Sequence, residues 1–169
     1  MNDGTLVARV SRIQLDAGAY ADASPLVAEK ACYRAPGPYR WQHVDSRCEC
    51  VMTNTAPAGP FRGFGGTQAM WASESQVDMI ARRLSIDPYD MRVKNLLPLG
   101  APYMPGDSGI DSDMVEGLDV VCRAIGYHAP RDRGTGHIRK GIGIAVGCKD
   151  VDGSDARVLA LVVAHVDVA

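Results

Sequence analysis

TNTAPAGPFRGFGGTQ, residues Thr53 to Gln68, sets one arginine and both phenylalanines of the chain among four glycines. The run follows neither the helical nor the strand period, so core packing does not account for it. Gly63, Gly65 and Gly66 remove the side chains that keep a backbone away from a ligand, and Arg62 lies between Phe61 and Phe64. The segment therefore reads as an active-site loop open to a bulky, phosphorylated ligand. It fails the G-x-G-x-x-G spacing of dinucleotide sites and the G-x-x-x-x-G-K-[ST] spacing of phosphate loops, so the glycines alone do not name that ligand.

The flanking pattern gives the loop its setting. Thr67 is placed to cap a helix whose apolar positions Met70, Val77, Ile80 and Leu84 recur near helical spacing, with Glu74, Asp78, Arg82 and Arg83 facing out. The loop thus feeds a helix N-terminus, whose unpaired N–H groups and positive dipole end suit an oxyanion or a phosphate. Asp87-Pro88 opens a second helix through Tyr89, Val93 and Leu96, which makes a helical pair over 67–96. Upstream, residues 4–16 alternate and read as a half-buried strand, one arm of a hairpin whose partner is missing or distant. Leu26 to Cys32 reads as a short helix stopped by the APGP of residues 35–38, and residues 41–53 as a second strand.

Beyond the pair, residues 97–111 read as an exposed connection and residues 112–125 as a third helix ended by Gly126. Residues 129–139 form a polar loop, and 141–148 with 156–168 are strands around a turn at Asp152-Gly153. The fold class is α+β.

Composition narrows the function. The chain has 169 residues, 46% hydrophobic and 22% charged, with net charge -2, which favours neither disorder nor a nucleic-acid partner. No run approaches the roughly 20 apolar residues of a membrane span, and the N-terminal residues lack a basic leader before an apolar run, so a cytoplasmic location is expected. Cys32, Cys48, Cys50, Cys122 and Cys148 are an odd set without a C-x-x-C pair and read as reduced thiols. The four histidines show no metal-ligand spacing.

FRGFGGTQ runs on into AMWASESQVDMIARRLSIDPYDMRVKNLLPLG, and the whole resembles the molybdenum-cofactor-binding subunit of the xanthine dehydrogenase and aldehyde oxidase family. LDAGAYADASPLVAEKACYRAPGPYRW (Leu15 to Trp41) resembles the segment leading to that loop, and KGIGIAVGCKD (Lys140 to Asp150) the strand before a later cofactor motif. The resemblance implies a molybdenum-molybdopterin cofactor, or its dinucleotide form, with the metal held by the pterin dithiolene rather than by protein side chains. It implies that Arg62, Gly63, Gly65 and Gly66 shape the cofactor seat and that Phe64 faces the substrate. Phe61 is expected to be structural, and Met70 and Trp71 to belong to the core.

The departures are equally specific. The family's glutamate base in a late G-E motif, its F-G-G segment before this stretch and its G-Q-G motif after it are absent, so no catalytic residue is assigned here. The arginine of purine-oxidising members aligns near Ser24, and the cysteine of carbon-monoxide-oxidising members aligns with Gly63-Phe64. The implied activity is oxidation of an aldehyde or an N-heteroaromatic compound with oxygen from water. Electrons would leave through iron-sulfur clusters and FAD on partner domains or subunits, since no cysteine pattern here holds a cluster. Residues 1–169 are thus expected to be a single partial molybdopterin-binding domain, an internal portion of a larger subunit, inactive without the rest of the molybdenum subunit. Two other readings stand beside it: a non-catalytic cofactor-binding or assembly module that keeps the loop structurally, and an anion-binding domain using the helix N-terminus at Thr67.

Overall fold

The structure, a computed structural model, describes residues 2–130, 133–135, 137–148 and 162–168. Its elements run β1 (Ala8–Gly18), α1 (Ser24–Arg34), β2 (His43–Met52), α2 (Gly66–Leu84), α3 (Pro88–Asn95), α4 (Met114–Ala124), β3 (Arg139–Ala145) and β4 (Val162–Val168). Mixed helices and strands make the chain α+β. Contacts divide it into two compact units, Met1–Asn95 and Leu96–Ala169.

In the first unit β1 pairs with β2 in parallel, Ala8 opposite His43 through Asp16 opposite Val51. The hairpin expected for residues 4–16 is therefore not formed. A two-residue turn makes antiparallel neighbours, whereas α1 stands between these strands and returns the chain in the same direction. Pro25 lies in the first turn of α1, where its missing N–H costs nothing, and the helix stops ahead of Pro36. Its buried positions Ser24, Ala28, Ala31 and Arg34 form one stripe of mostly small residues, so α1 packs closely on both strands and on α2.

Two short backbone links seat the arm leading to the glycine loop. Thr53 N–H donates to Gly18 O at 3.0 Å and Ala58 N–H to Ala17 O at 3.1 Å, while Ser24 Oγ donates to Ala58 O at 3.0 Å. Thr53 Oγ1 also donates to Asp16 Oδ1 at 2.5 Å, and that bond holds the Asp16 carboxyl below its ordinary range.

The stripe that α2 buries is Gly66, Ala69, Ser73, Glu74, Val77 and Ala81. Val77 belongs to it as expected, but Met70, Ile80 and Leu84 are only partly covered and Trp71 is exposed. Glu74, expected on the outer face, is buried. The reason is steric: small residues let the neighbouring backbone come close, and the larger apolar side chains are left at the margins. Ser85 in the left-handed region ends α2, and Tyr89 N–H donates to Asp87 Oδ1 at 2.8 Å as α3 begins.

In the second unit Asp113 caps α4, accepting from the N–H groups of Val115 and Glu116 at 3.0 Å each. The 97–111 connection is less exposed than its composition implies, because Tyr103 and Ile110 are buried and Pro102 bridges Gly109. β3 and β4 pair antiparallel, Arg139 opposite Val168 and Ala145 opposite Val162. The turn expected at Asp152-Gly153 lies outside the described residues.

Candidate functional site

The glycine loop owes its shape to three successive left-handed residues, Gly63 (φ 87°), Phe64 (φ 50°) and Gly65 (φ 77°). Glycine adopts this region freely, but phenylalanine does so only under constraint from its surroundings. Gly66 N–H closes the corner onto Gly63 O at 2.9 Å, and Ala69 N–H reaches Gly65 O at 3.1 Å. The helix consequently starts at Gly66 with Gly65 as its N-cap, and Thr67, expected to cap it, lies inside the first turn. No side chain caps this end. With Gly66 N–H and Ala69 N–H taken up by Gly63 O and Gly65 O, the anion-seeking character expected of a helix start rests on the N–H groups of Thr67 and Gln68.

The glycines have a different reason from the one their sequence suggests. A Cβ at Gly63 would lie 1.8 Å from Thr67 Oγ1, one at Gly65 would lie 2.8 Å from Val27 O, and one at Gly66 would lie 2.3 Å from Arg34 Nη1. The space beside each is filled by the protein itself. Gly65 and Gly66 are buried against α1, while Arg62 and Phe64 are exposed and Phe64 keeps 40% of its surface open. Phe61, expected to be structural, is fully exposed and packs against no core. The loop thus has an inner side built on glycine and an outer side carrying Phe61, Arg62 and Phe64.

A groove of about 610 Å³ runs between β1, α1 and α2, with Ile13, Leu15, Val27, Gln68 and Met79 among its walls and Gly65 at its border. Phe61, Arg62 and Phe64 do not line it. The structure therefore brings the sequence-predicted residues together on one turn but assigns only Gly65 to the groove.

Behind the loop lies a buried polar network. Arg92 donates from Nε to Glu74 Oε2 at 2.9 Å and from Nη1 to Asp78 Oδ1 at 2.7 Å and Pro88 O at 3.1 Å, and Tyr39 Oη donates to Glu74 Oε1. Burial opposes the charge on Arg92, but the neighbouring Glu74, Tyr39 and Asp78 outweigh it and keep the guanidinium protonated. Burial first, then the Glu74 carboxylate, pushes the Tyr39 phenol well above its ordinary value. This network ties the segment after APGP to α2 and α3, so the axis of α2 is fixed two turns beyond the loop.

Neither composition nor motif marks Arg34, which packs on Gly66, or Glu74 as buried. A signal for both is nonetheless present: each continues a helical stripe of small residues, Ser24-Ala28-Ala31 for Arg34 and Gly66-Ala69-Ser73 for Glu74.

Residues 1–96 match the family model described as the molybdopterin cofactor-binding domain. The chain is 33% identical over 148 residues to a probable xanthine dehydrogenase subunit of Bacillus subtilis, covering 86% of this chain and 20% of that protein. It is 31% identical over 165 residues to an aldehyde oxidoreductase of Megalodesulfovibrio gigas, covering 91% of this chain and 17% of the relative. Among solved structures, quinoline 2-oxidoreductase from Pseudomonas putida superposes with a TM-score of 0.76 at 25% identity, over 86% of this chain and 20% of that one. The chain thus spans about a fifth of the length of these relatives. Loop, helix and family match coincide within the first unit, and the chain belongs to the molybdopterin cofactor-binding domain family, among the molybdenum hydroxylases of the xanthine dehydrogenase and aldehyde oxidase type.

Proposed function

We propose that this chain contributes the cofactor seat and one aromatic wall to a molybdenum-dependent hydroxylase that oxidises aldehydes or N-heteroaromatic compounds with oxygen from water. The observation that carries the reading is the left-handed turn at Gly63, Phe64 and Gly65, which feeds an uncapped helix N-terminus and leaves Arg62 and Phe64 on the outside.

The residues fit the group. A helix start without a side-chain cap offers N–H donors to an anionic ligand, and Arg62 adds a positive charge on the same turn. Arg62 would hold the molybdopterin cofactor from the outer side of the turn, and Gly63, Gly65 and Gly66, filled on their inner side by Thr67, Val27 and Arg34, would give the seat its shape. When bound, that cofactor supplies oxygen transfer to an electron-poor carbon and accepts the two electrons released. Phe64 offers an exposed ring against which a flat ring or a planar carbonyl stacks, which fixes the face presented and displaces water.

Further parts belong elsewhere in this reading. The proton-accepting glutamate lies in the rest of the molybdenum subunit, and iron-sulfur and flavin centres on partner domains or subunits carry the electrons away in a cytoplasmic assembly. One feature of the strands supports a larger subunit around the first unit. A parallel pair of strands is ordinarily covered on both faces, yet here Val10, Val44, Val51 and Met52 are exposed. The names of the relatives also span aldehyde, xanthine and quinoline substrates, which supports the breadth of the substrate class.

The test is the Phe64→Ala variant of the holoenzyme, assayed on an aldehyde and on an N-heteroaromatic compound. We expect unchanged molybdenum content and a fall in kcat/KM of about 10- to 100-fold, with Phe61→Ala far milder. Wild-type protein without molybdopterin, or a Phe64→Ala variant as active as wild type, would overturn the proposal.

A further inference from the structure

We propose that Arg34 is a positioning residue of the cofactor loop, setting the orientation of Phe64 from the buried side through the Gly63 carbonyl. Arg34 ends α1 and is 5% exposed. Its Nη1 donates to Gly63 O at 3.2 Å, the same oxygen that accepts Gly66 N–H at 2.9 Å. One carbonyl is therefore gripped from two directions, by the helix start and by a charged fork.

The fork is also packed against the loop. A Cβ at Gly66 would meet Arg34 Nη1 at 2.3 Å and Cδ at 2.5 Å, so the first residue of α2 is glycine because the Arg34 side chain lies flat across it. Phe64 lies immediately after Gly63 and holds φ at 50°. A phenylalanine in that region persists only where neighbouring contacts over-determine the backbone. The Arg34 bond acts one residue away from that strain, on the inner side, while the ring it directs lies on the outer side. Lysine is a poor replacement, since a point charge on a flexible stem lacks the planar fork that both packs on Gly66 and donates to Gly63.

The inference rests on the cofactor reading above, and the test separates the two. In the holoenzyme we would prepare Arg34→Met, Arg34→Lys, Gly66→Ala and the double variant Arg34→Met/Gly66→Ala. Readouts are the molybdopterin content, the paramagnetic resonance signal of the partly reduced metal, and kcat and KM separately. We expect Arg34→Met to retain cofactor, to change that signal and to lower kcat/KM by about 10- to 100-fold, with partial recovery in Arg34→Lys. If Arg34→Met does not fold, Gly66→Ala displaces the guanidinium while leaving its charge in place and is expected to give the same kinetic change. The double variant is then expected to be no worse than Gly66→Ala alone. Cofactor-loaded variants with the wild-type signal and wild-type kcat and KM would overturn the positioning role alone. So would single effects that multiply in the double variant. Wild-type protein lacking molybdopterin would overturn the underlying reading and the inference with it.

Discussion

Arg92 and Glu74, eighteen residues apart in sequence, meet with Nη2 and Oε2 separated by 2.8 Å at a point where the Arg92 side chain has no exposure to solvent. Asp78 and Tyr39 complete the grouping from α2 and from the segment before β2. One buried guanidinium is shared between the buried Glu74 and the partly exposed Asp78, and the worth of the grouping depends on every partner remaining in place.

Removing one partner strands the other. Arg92→Met leaves Glu74 buried without its counter-charge, and we expect a loss of about 3–5 kcal/mol in denaturant unfolding. Glu74→Gln, which keeps the shape and an acceptor oxygen, is expected to lose less. A loss under about 1 kcal/mol for Arg92→Met would show that water relieves the site.

The phenol of Tyr39 makes the same grouping sensitive to alkali. Burial and Glu74 raise its folded-state pKa, while the unfolded chain titrates near 10, so folding is favoured by the neutral phenol below that value. As pH rises past 10 the unfolded state alone loses its proton, and stability falls by at most about 1.4 kcal/mol per unit from this group. Melting curves from about pH 8 to 11 are expected to show the advantage of wild type over Tyr39→Phe shrinking above about pH 10. A constant difference across that range would contradict this.

Asn95 pins the start of the chain. It accepts from Leu6 N–H at 2.9 Å and donates to Gly4 O and Met91 O at 2.8 Å each. Asn95→Ala strands these buried backbone groups, and a destabilisation of about 1–3 kcal/mol is expected. Amide exchange at Leu6 is expected to accelerate ahead of exchange in α2, which distinguishes local release from general loosening.

Opposite substitutions in the loop are expected to act in opposite directions. Phe64→Gly relieves a left-handed phenylalanine that is 40% exposed, so its melting temperature is expected to equal or exceed wild type although substrate turnover falls. Gly65→Ala places a Cβ 2.8 Å from Val27 O at φ 77° and is expected to cost about 1–3 kcal/mol. Equal melting temperatures for the two variants would show that the turn is not held as described.

Elements with a local cause are legible in the sequence. Asp87-Pro88 announces α3 and Gly126 the end of α4, because capping and φ restriction act within one turn. The aromatic and glycine loop stands out because no periodic element needs that composition, and the resemblance of FRGFGGTQ and the segment after it points to the family that the match over residues 1–96 shows. The partner of β1 is not legible, because a strand's period shows which faces it has and not which strand lies beside it. The burial of Glu74 is hidden for a related reason: an acidic residue on a helix is ordinarily outward, and its partner Arg92 comes from another helix.

What the sequence determined by itself is therefore the irregular loop and the helices around it, set by residue types whose conformational preferences act over a few positions, and, through the resemblance of its motifs, the family. Only the tertiary structure decided why the loop is glycine at 63, 65 and 66: Thr67, Val27 with Ala31, and Arg34 fill the space where side chains would go. Close packing tolerates no second occupant of that volume, and which atoms arrive there depends on how α1 and α2 meet, a relation that no stretch of sequence carries alone.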